Sequence, residues 1–187
     1  NVPKPILADY DPNVEQTMIA SLNGVPFGAV RMSDLVALAG FLSGIGHAPA
    51  CIVHHLLGFA PEAILNVIAA APGPRPVVWL HDLFTLCPSV HLLRNNATFC
   101  ASPPIDSLAC SICHAGEERS AHVTRIRRFF DETRPVVVAP SKVMLDFWQK
   151  HAPFQFEEAR AIAPCSLLFD KQPAVEYPGN RPLKVAF

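Results

Sequence analysis

The stretch PVVWLHD, residues 76–82, decides the fold because an apolar run leads directly into two polar, titratable side chains. A continuous apolar run is typical of a strand in a parallel sheet that is covered on both faces. His81 is the first polar residue after Val77–Leu80. The stretch therefore predicts a buried strand that ends in His81 and Asp82.

Strand and helix patterns alternate on either side of this stretch. Helices are predicted between the strands, with N-caps at Ser33, Ser120 and Ser141 and with Pro61 in a first turn. The predicted strands are PFGAVRM, ACIVHHLLG, PVVWLHD, PVVVAP and ARAIAP. This order predicts an α/β fold, a Rossmann-like parallel sheet with flanking helices on both faces.

The chain divides into three predicted regions. Residues 1–25 form an N-terminal arm with a short helix near Val14–Ser21, and residues 26–168 form the Rossmann-like domain. An irregular, Cys-rich insertion covers residues 83–118. A loop of that length is usually functional or held together by an internal cross-link. Residues 169–187 are interpreted as a linker and the start of a second domain that is cut off.

Composition excludes several classes of protein. Half of the residues are hydrophobic, so the chain is globular, and a net charge of -1 gives no long-range attraction for nucleic acid. No apolar run reaches the roughly 18 residues that span a bilayer. The arginine-rich segment 119–134 is interpreted as a solvated helix face, and a weak contact with acidic lipid headgroups stays open.

Polar side chains follow three of the predicted strands. Ligands of parallel sheets bind outside the carboxyl ends of the strands, so His81 is a candidate for chemistry there, although it can also simply cap the strand. His54 and His55 end the preceding strand, and because adjacent strand residues point to opposite faces, only one is expected to face the cleft. Ser141 and Lys142 begin a helix, which predicts an N-cap at Ser141, and the helix start is either a plain cap or, in addition, an anion site.

Four of the six cysteines lie close together in the sequence: Cys87, Cys100, Cys110 and Cys113. One C-x-x-C turn with two further cysteines favours a structural zinc site, and disulfides or free thiols remain as alternatives. His91 and His114 are nearby and could replace a cysteine. Cys51 and Cys165 have apolar neighbours and are interpreted as core thiols.

The segments VVWLHDLFTLCPSVHLLRNNATFC, CSIC and VVVAPSKVMLDFWQKHAPF resemble the N-terminal half of bacterial glycosyltransferases of the GT-B fold, in the group-one (family four) class. The resemblance covers roughly residues 27–187. It implies a retaining transferase without a catalytic metal, in which His81 and Asp82 are catalytic and lie near the donor sugar. His54, His55, Ser141 and Lys142 would then bind substrate.

The resemblance also implies partners and location. The nucleotide-sugar donor would bind mainly to an absent C-terminal domain, and a glycan or lipid-linked acceptor would bind to this half, which alone is expected to be inactive. The expected location is cytoplasmic, with peripheral contact at the inner membrane left open. The Gly-Gly loop of the family is not found. A zinc-stapled α/β binding module without catalytic activity is the alternative, and a hydrolase with a Cys87 nucleophile is a third interpretation.

Overall fold

The computed structural model describes residues 14–163, apart from the side chain of Phe27. Three sequence-based predictions lie outside these residues: the linker and the terminal strand of residues 169–187, the core position of Cys165, and the first half of the N-terminal arm. In the described part, the protein is a mixed α/β structure with a parallel four-stranded sheet and flanking helices.

The described part begins with an antiparallel hairpin, β1 at Thr17–Leu22 and β2 at Val25–Arg31. The turn is formed by Asn23 and Gly24, both with positive φ (52° and 80°), which is the backbone of a two-residue type I′ turn. The predicted helix near Val14–Ser21 is therefore wrong. The strand predicted at PFGAVRM exists, but it pairs within the hairpin and not with the parallel sheet.

Helix α1 covers Met32–Gly44 and begins one residue before the predicted cap. The cap is Arg31, whose backbone N–H donates to the Asp34 carboxylate over 3.0 Å. Ser33 already lies within the helix, and its N–H donates to the Glu15 carboxylate over 2.9 Å. The N-cap predicted at Ser33 is therefore wrong, because a carboxylate three residues into the helix satisfies the first free donor.

The parallel sheet has the order β3-β4-β7-β8. Its strands are β3 at Ile52–Val53, β4 at Val77–Trp79, β7 at Val136–Ala139 and β8 at Glu158–Ala161. The connecting helices are α2 at Pro61–Ala70, α4 at Gly116–Thr133 and α5 at Lys142–His151. Four of the five strands that the sequence predicts thus form the sheet.

Strands that follow one another in the chain are also neighbours in the sheet. Right-handed crossovers then place α2, α4 and α5 on one face. The main core agrees, because it joins the alternate sheet residues Val53, Val78 and Val137 to side chains of these helices. On the other face Ile52 is 59% exposed. Among the described residues, the expectation of helices on both faces is therefore not met, and α1 packs against α2 and β2.

The long connection between β4 and α4 contains only short elements. These are a 3-10 turn at Phe84–Leu86, a small hairpin of β5 at Leu93–Arg94 with β6 at Thr98–Phe99, and α3 at Leu108–Ser111. Helix α4 begins at Gly116 with Ala115 in the cap position. The N-cap predicted at Ser120 is wrong, and the helix takes in the last residues of the predicted irregular segment.

Candidate functional site

Three of the sequence-predicted pairs lie at the carboxyl edge of the sheet. His54 and His55 follow β3 directly, and His81 and Asp82 follow Leu80, the residue after β4. The third pair, Ser141 and Lys142, follows Pro140, the residue after β7. The sheet continues to Leu80, whose N–H donates to the Val138 carbonyl over 2.7 Å. Parallel neighbours end at the same edge, so the site is built by the ends of β3, β4 and β7.

His54 and His81 form a direct imidazole pair. Nδ1 of His54 lies 3.3 Å from Nε2 of His81, so one nitrogen donates its proton and the other accepts. Both side chains are exposed, and both rings stack near Trp79, with centroids 5.8 and 6.3 Å from the indole. Within residues 14–163, the other nitrogen of each ring has no protein hydrogen-bond partner. The free nitrogen of each imidazole can therefore form a hydrogen bond with a ligand at this edge of the sheet.

His55 and Asp82 form a second, less exposed pair. His55 Nε2 donates to Asp82 Oδ2 over 2.6 Å, while its Nδ1 accepts the Leu57 N–H over 2.7 Å. This assigns the ring proton to Nε2. Asp82 Oδ1 also accepts, from the Phe84 N–H over 2.8 Å. Because both ring nitrogens and both carboxylate oxygens are in use, this pair positions the loop and does not itself present a proton to a ligand.

The two histidines that follow β3 differ in what they leave available, because His54 keeps a ring nitrogen without a partner among residues 14–163 and His55 uses both of its nitrogens. The expectation that only one of them faces a ligand stays a prediction. Strand β3 ends at Val53, so both residues lie beyond the strand and the alternation of side chains does not apply to them. His54 contacts His81, and His55 contacts Asp82.

His122, on α4, is a contributor to the site that the sequence did not indicate. Its Nε2 donates to the Phe84 carbonyl over 2.6 Å, and the two rings meet edge to face with centroids 4.7 Å apart. Burial lowers the pKa of His122 to about 4, so the ring is neutral near pH 7. His122 thus fixes the turn whose backbone holds Asp82. A histidine in an otherwise ordinary amphipathic helix gives no sequence signal for this role.

Ser141 and Lys142 stand at the start of α5. The Ser141 hydroxyl accepts the Met144 N–H over 3.2 Å, so the predicted N-cap is confirmed. The Lys142 ammonium donates to both oxygens of Asp146 over 2.8 Å on the exposed side of the helix. What remains available to a ligand at this position is the first-turn backbone N–H groups of α5.

The clustered cysteines are free thiols in the described part of the chain, and so is Cys51, which packs against the main core as predicted. The four thiols of Cys87, Cys100, Cys110 and Cys113 line one small cavity of about 10 Å³. Among residues 14–163, no three His, Cys, Asp or Glu side chains are grouped in a way that could hold a metal ion. Burial raises the pKa of Cys87 to about 11, which argues against the thiolate nucleophile of the hydrolase interpretation.

Arg119 departs from the expected solvated face of its helix. Its side chain is 5% exposed and donates to the Leu86 and Pro103 carbonyls, to the Ser102 hydroxyl and to the Cys110 sulfur. Arg125 on the same helix is partly buried in a two-bond ion pair with Glu62 of α2. Two arginines of α4 therefore make contacts within the protein.

A larger cavity, of about 900 Å³, lies elsewhere in the described part of the chain. It is lined by α1, α2 and the segment 71–76 that leads into β4, so it opens toward the amino end of that strand. Its lining is mainly apolar, with Arg75 and Glu132 as its titratable groups apart from the thiol of Cys51. The cavity at the histidine edge, which His55, His81 and Asp82 help to line, is only about 10 Å³. Ligands of parallel sheets bind at the carboxyl edge, so this edge is still the better candidate.

No protein-family model, no curated protein and no solved structure matches this chain. Among the described helices, none combines the length and the apolar character needed to cross a membrane.

Proposed function

We propose that this chain is the acceptor-side half of a glycosyltransferase of the GT-B fold, which moves a sugar from a nucleotide-sugar donor to a glycan or lipid-linked acceptor. Residues 26–168 would be its Rossmann-like domain. The proposal rests on the resemblance of three sequence segments and on one structural observation: the exposed His54–His81 pair at the carboxyl edge of the parallel sheet. Sugar hydroxyls and phosphate oxygens are the groups that such imidazoles bind by hydrogen bonds.

The geometry divides the proposed roles among four residues. His81 would contact the transferring sugar or its phosphate, and His54, 3.3 Å away, would hold the His81 ring and add a second hydrogen bond to the ligand. Asp82, which the resemblance implies to be catalytic, would act as a positioning residue because it is bonded to His55 and to the Phe84 backbone. His55 would share that positioning role.

Ser141 and Lys142 would contribute through the start of α5. Free N–H groups at a helix N-terminus favour an anion such as a phosphate. The Ser141 hydroxyl is engaged in capping and Lys142 in its pair with Asp146, so the backbone rather than these side chains would meet the ligand. In the parent protein we place the enzyme in the cytoplasm, with the acceptor supplied from a membrane or as a free glycan.

The test uses the full-length parent protein with variants His81→Ala, His54→Ala and the control His91→Ala. His91 is exposed and belongs to neither histidine pair. Loss of a contact made mainly in the transition state lowers kcat and leaves the donor KM nearly unchanged. We expect His81→Ala to reduce kcat by roughly 10²-fold or more, within the range of a positioned acid–base or electrostatic group.

The competing function is a binding module without chemistry. That interpretation predicts that the full-length protein releases no nucleoside diphosphate from any sugar donor. It also predicts that His81→Ala changes affinity for a glycan and nothing else. Equal kcat for the wild type, His81→Ala and His91→Ala would remove His81 from the mechanism.

A further inference from the structure

Arg119 is a buried cation without a carboxylate partner in the described part of the chain. Its guanidinium bonds only to neutral groups and to the Cys110 sulfur, which lies 2.9 Å from Nη1. No Asp or Glu of residues 14–163 lies within ion-pair distance of it. A buried charge is costly unless an opposite charge compensates it. The surroundings of Arg119 should therefore contain an anion.

The cavity beside Arg119 contains groups that can supply this negative charge. Its lining includes a second cation, Arg94, and no carboxylate among the described residues. The groups there that can carry negative charge are the four thiols of Cys87, Cys100, Cys110 and Cys113. Neutral thiols or disulfides would leave the buried Arg119 guanidinium without an opposite charge. Metal-bound thiolates would supply it.

The chain folds so that these four cysteines line the same cavity. Cys110 and Cys113 belong to one turn, in which the Cys113 N–H donates to the Cys110 carbonyl over 3.0 Å. Helix α4 then begins at Gly116, where any Cβ would collide with that same carbonyl. Cys100 is tied to the small hairpin through its N–H and the Leu92 carbonyl, 2.9 Å apart. A C-x-x-C turn and two further cysteines from separate segments are the ligand supply of many structural zinc sites.

We propose that this cavity is a closed metal–thiolate site for zinc, with Cys87, Cys100, Cys110 and Cys113 as ligands and Arg119 as a positioning residue that donates to the Cys110 sulfur. Four thiols bind one Zn²⁺ and release four protons, so the centre carries two positive and four negative charges, a net charge of -2. Arg119 and Arg94 offset that charge. The thiols line the cavity without forming a coordination group, so binding requires their side chains to turn inward.

The site does not depend on the proposed glycosyltransferase function, because its test needs no substrate. The full chain is purified in reducing buffer without chelator, reconstituted with zinc and desalted, and its metal content and X-ray absorption are measured. We expect about one zinc per chain, with about four sulfur neighbours at about 2.3 Å. Less than about half an equivalent of zinc, or a shell dominated by nitrogen and oxygen, overturns the proposal.

Variants test the individual residues. Cys110→Ser should lower the zinc content below half an equivalent, and Cys51→Ser, outside the cavity, should leave it at one. Arg119→Met should weaken zinc binding about 10- to 100-fold, the usual effect of losing a partner of a metal ligand. Arg119→Lys should restore part of that loss. Arg127→Met, on the exposed side of the same helix, is the matched control.

Cobalt(II) substitution separates a positioning role of Arg119 from a purely structural one. Loss of a hydrogen bond to a ligand sulfur should shift the thiolate-to-cobalt charge-transfer band in Arg119→Met and not in Arg127→Met. A variant that is less stable but keeps the wild-type band would refute the role of Arg119. If a variant does not fold, the zinc content and X-ray absorption of the wild type still decide the site itself.

Discussion

The Asp82 carboxylate supports two neighbouring segments, and an isosteric substitution tests this directly. Asp82 accepts one hydrogen bond from His55 Nε2 and another from the Phe84 N–H, over 2.6 and 2.8 Å. An asparagine has a single acceptor oxygen and an amide group that only donates. In Asp82→Asn, one of the two donors must therefore face another donor, whichever way the amide is turned.

His55 cannot relieve this conflict by changing its tautomer. If Nε2 became the acceptor, the proton would move to Nδ1, which already accepts the Leu57 N–H over 2.7 Å. One hydrogen bond to a charged acceptor is lost in every arrangement. The side chains of His55 and Asp82 are 27% and 18% exposed, so hydrogen bonds to water compensate little for the lost bond.

The expected cost is about 2 kcal/mol of unfolding free energy, within the range for hydrogen bonds to charged groups. For a domain of this size it corresponds to a fall in Tm of about 4–8 °C. Urea and thermal unfolding measure it, with Asp106→Asn as the exposed control. If Asp82→Asn unfolds within about 0.5 kcal/mol of that control, the positioning role of Asp82 is wrong.

Two further substitutions test the supports of the site and of the cysteine cavity. The folded-state pKa of His122, about 4, lies below its ordinary value of 6.5. The contribution of neutral His122 to the free energy of unfolding is therefore fully present above pH 6.5 and is lost as the pH falls toward 4, by about 3 kcal/mol in total. His122→Gln should flatten that part of the stability–pH curve, and an unchanged slope would contradict the assignment. Gly116→Ala should cost about 1–3 kcal/mol in urea unfolding because its Cβ meets the Cys110 carbonyl. Gly44→Ala, with open space around its Cβ, should be near neutral, and equal effects would refute the close contact.

The parallel sheet could be predicted from the sequence because its strands are apolar runs followed by helices. Segments such as PVVWLHD and PVVVAP contain no competing helical pattern, Pro61 is the first residue of α2, and Ser141 is the N-cap of α5. The observed order agrees with the tendency of consecutive parallel strands to be neighbours in a sheet.

The N-terminal hairpin was missed although its signal is present. Asn23-Gly24 between two apolar segments is the strongest short-range signal for a two-residue hairpin turn, and the structure shows the positive φ angles that it needs. The helix predicted near Val14–Ser21 is wrong because the Asn23-Gly24 turn pairs this segment, as strand β1, with strand β2.

The internal contacts of the site could be predicted only in part. The sequence places His54, His55, His81 and Asp82 at strand ends, but it does not reveal that β3 stops at Val53 and leaves both histidines free to reach across. The partners of Arg119 come from segments 16 and 33 residues away, Pro103 and Leu86, and no periodic pattern indicates such contacts. Local periodicity describes faces of an element, whereas these contacts depend on how a long connection folds back.

The most direct test of the proposed function is release of nucleoside diphosphate from a panel of nucleotide sugars by the full-length parent protein. We expect turnover of at least one donor, increased by an acceptor glycan or lipid, and reduced by roughly 10²-fold or more in His81→Ala. Absence of release with every donor, or equal release by the wild type and His81→Ala, would contradict a sugar-transfer site at the His54–His81 edge.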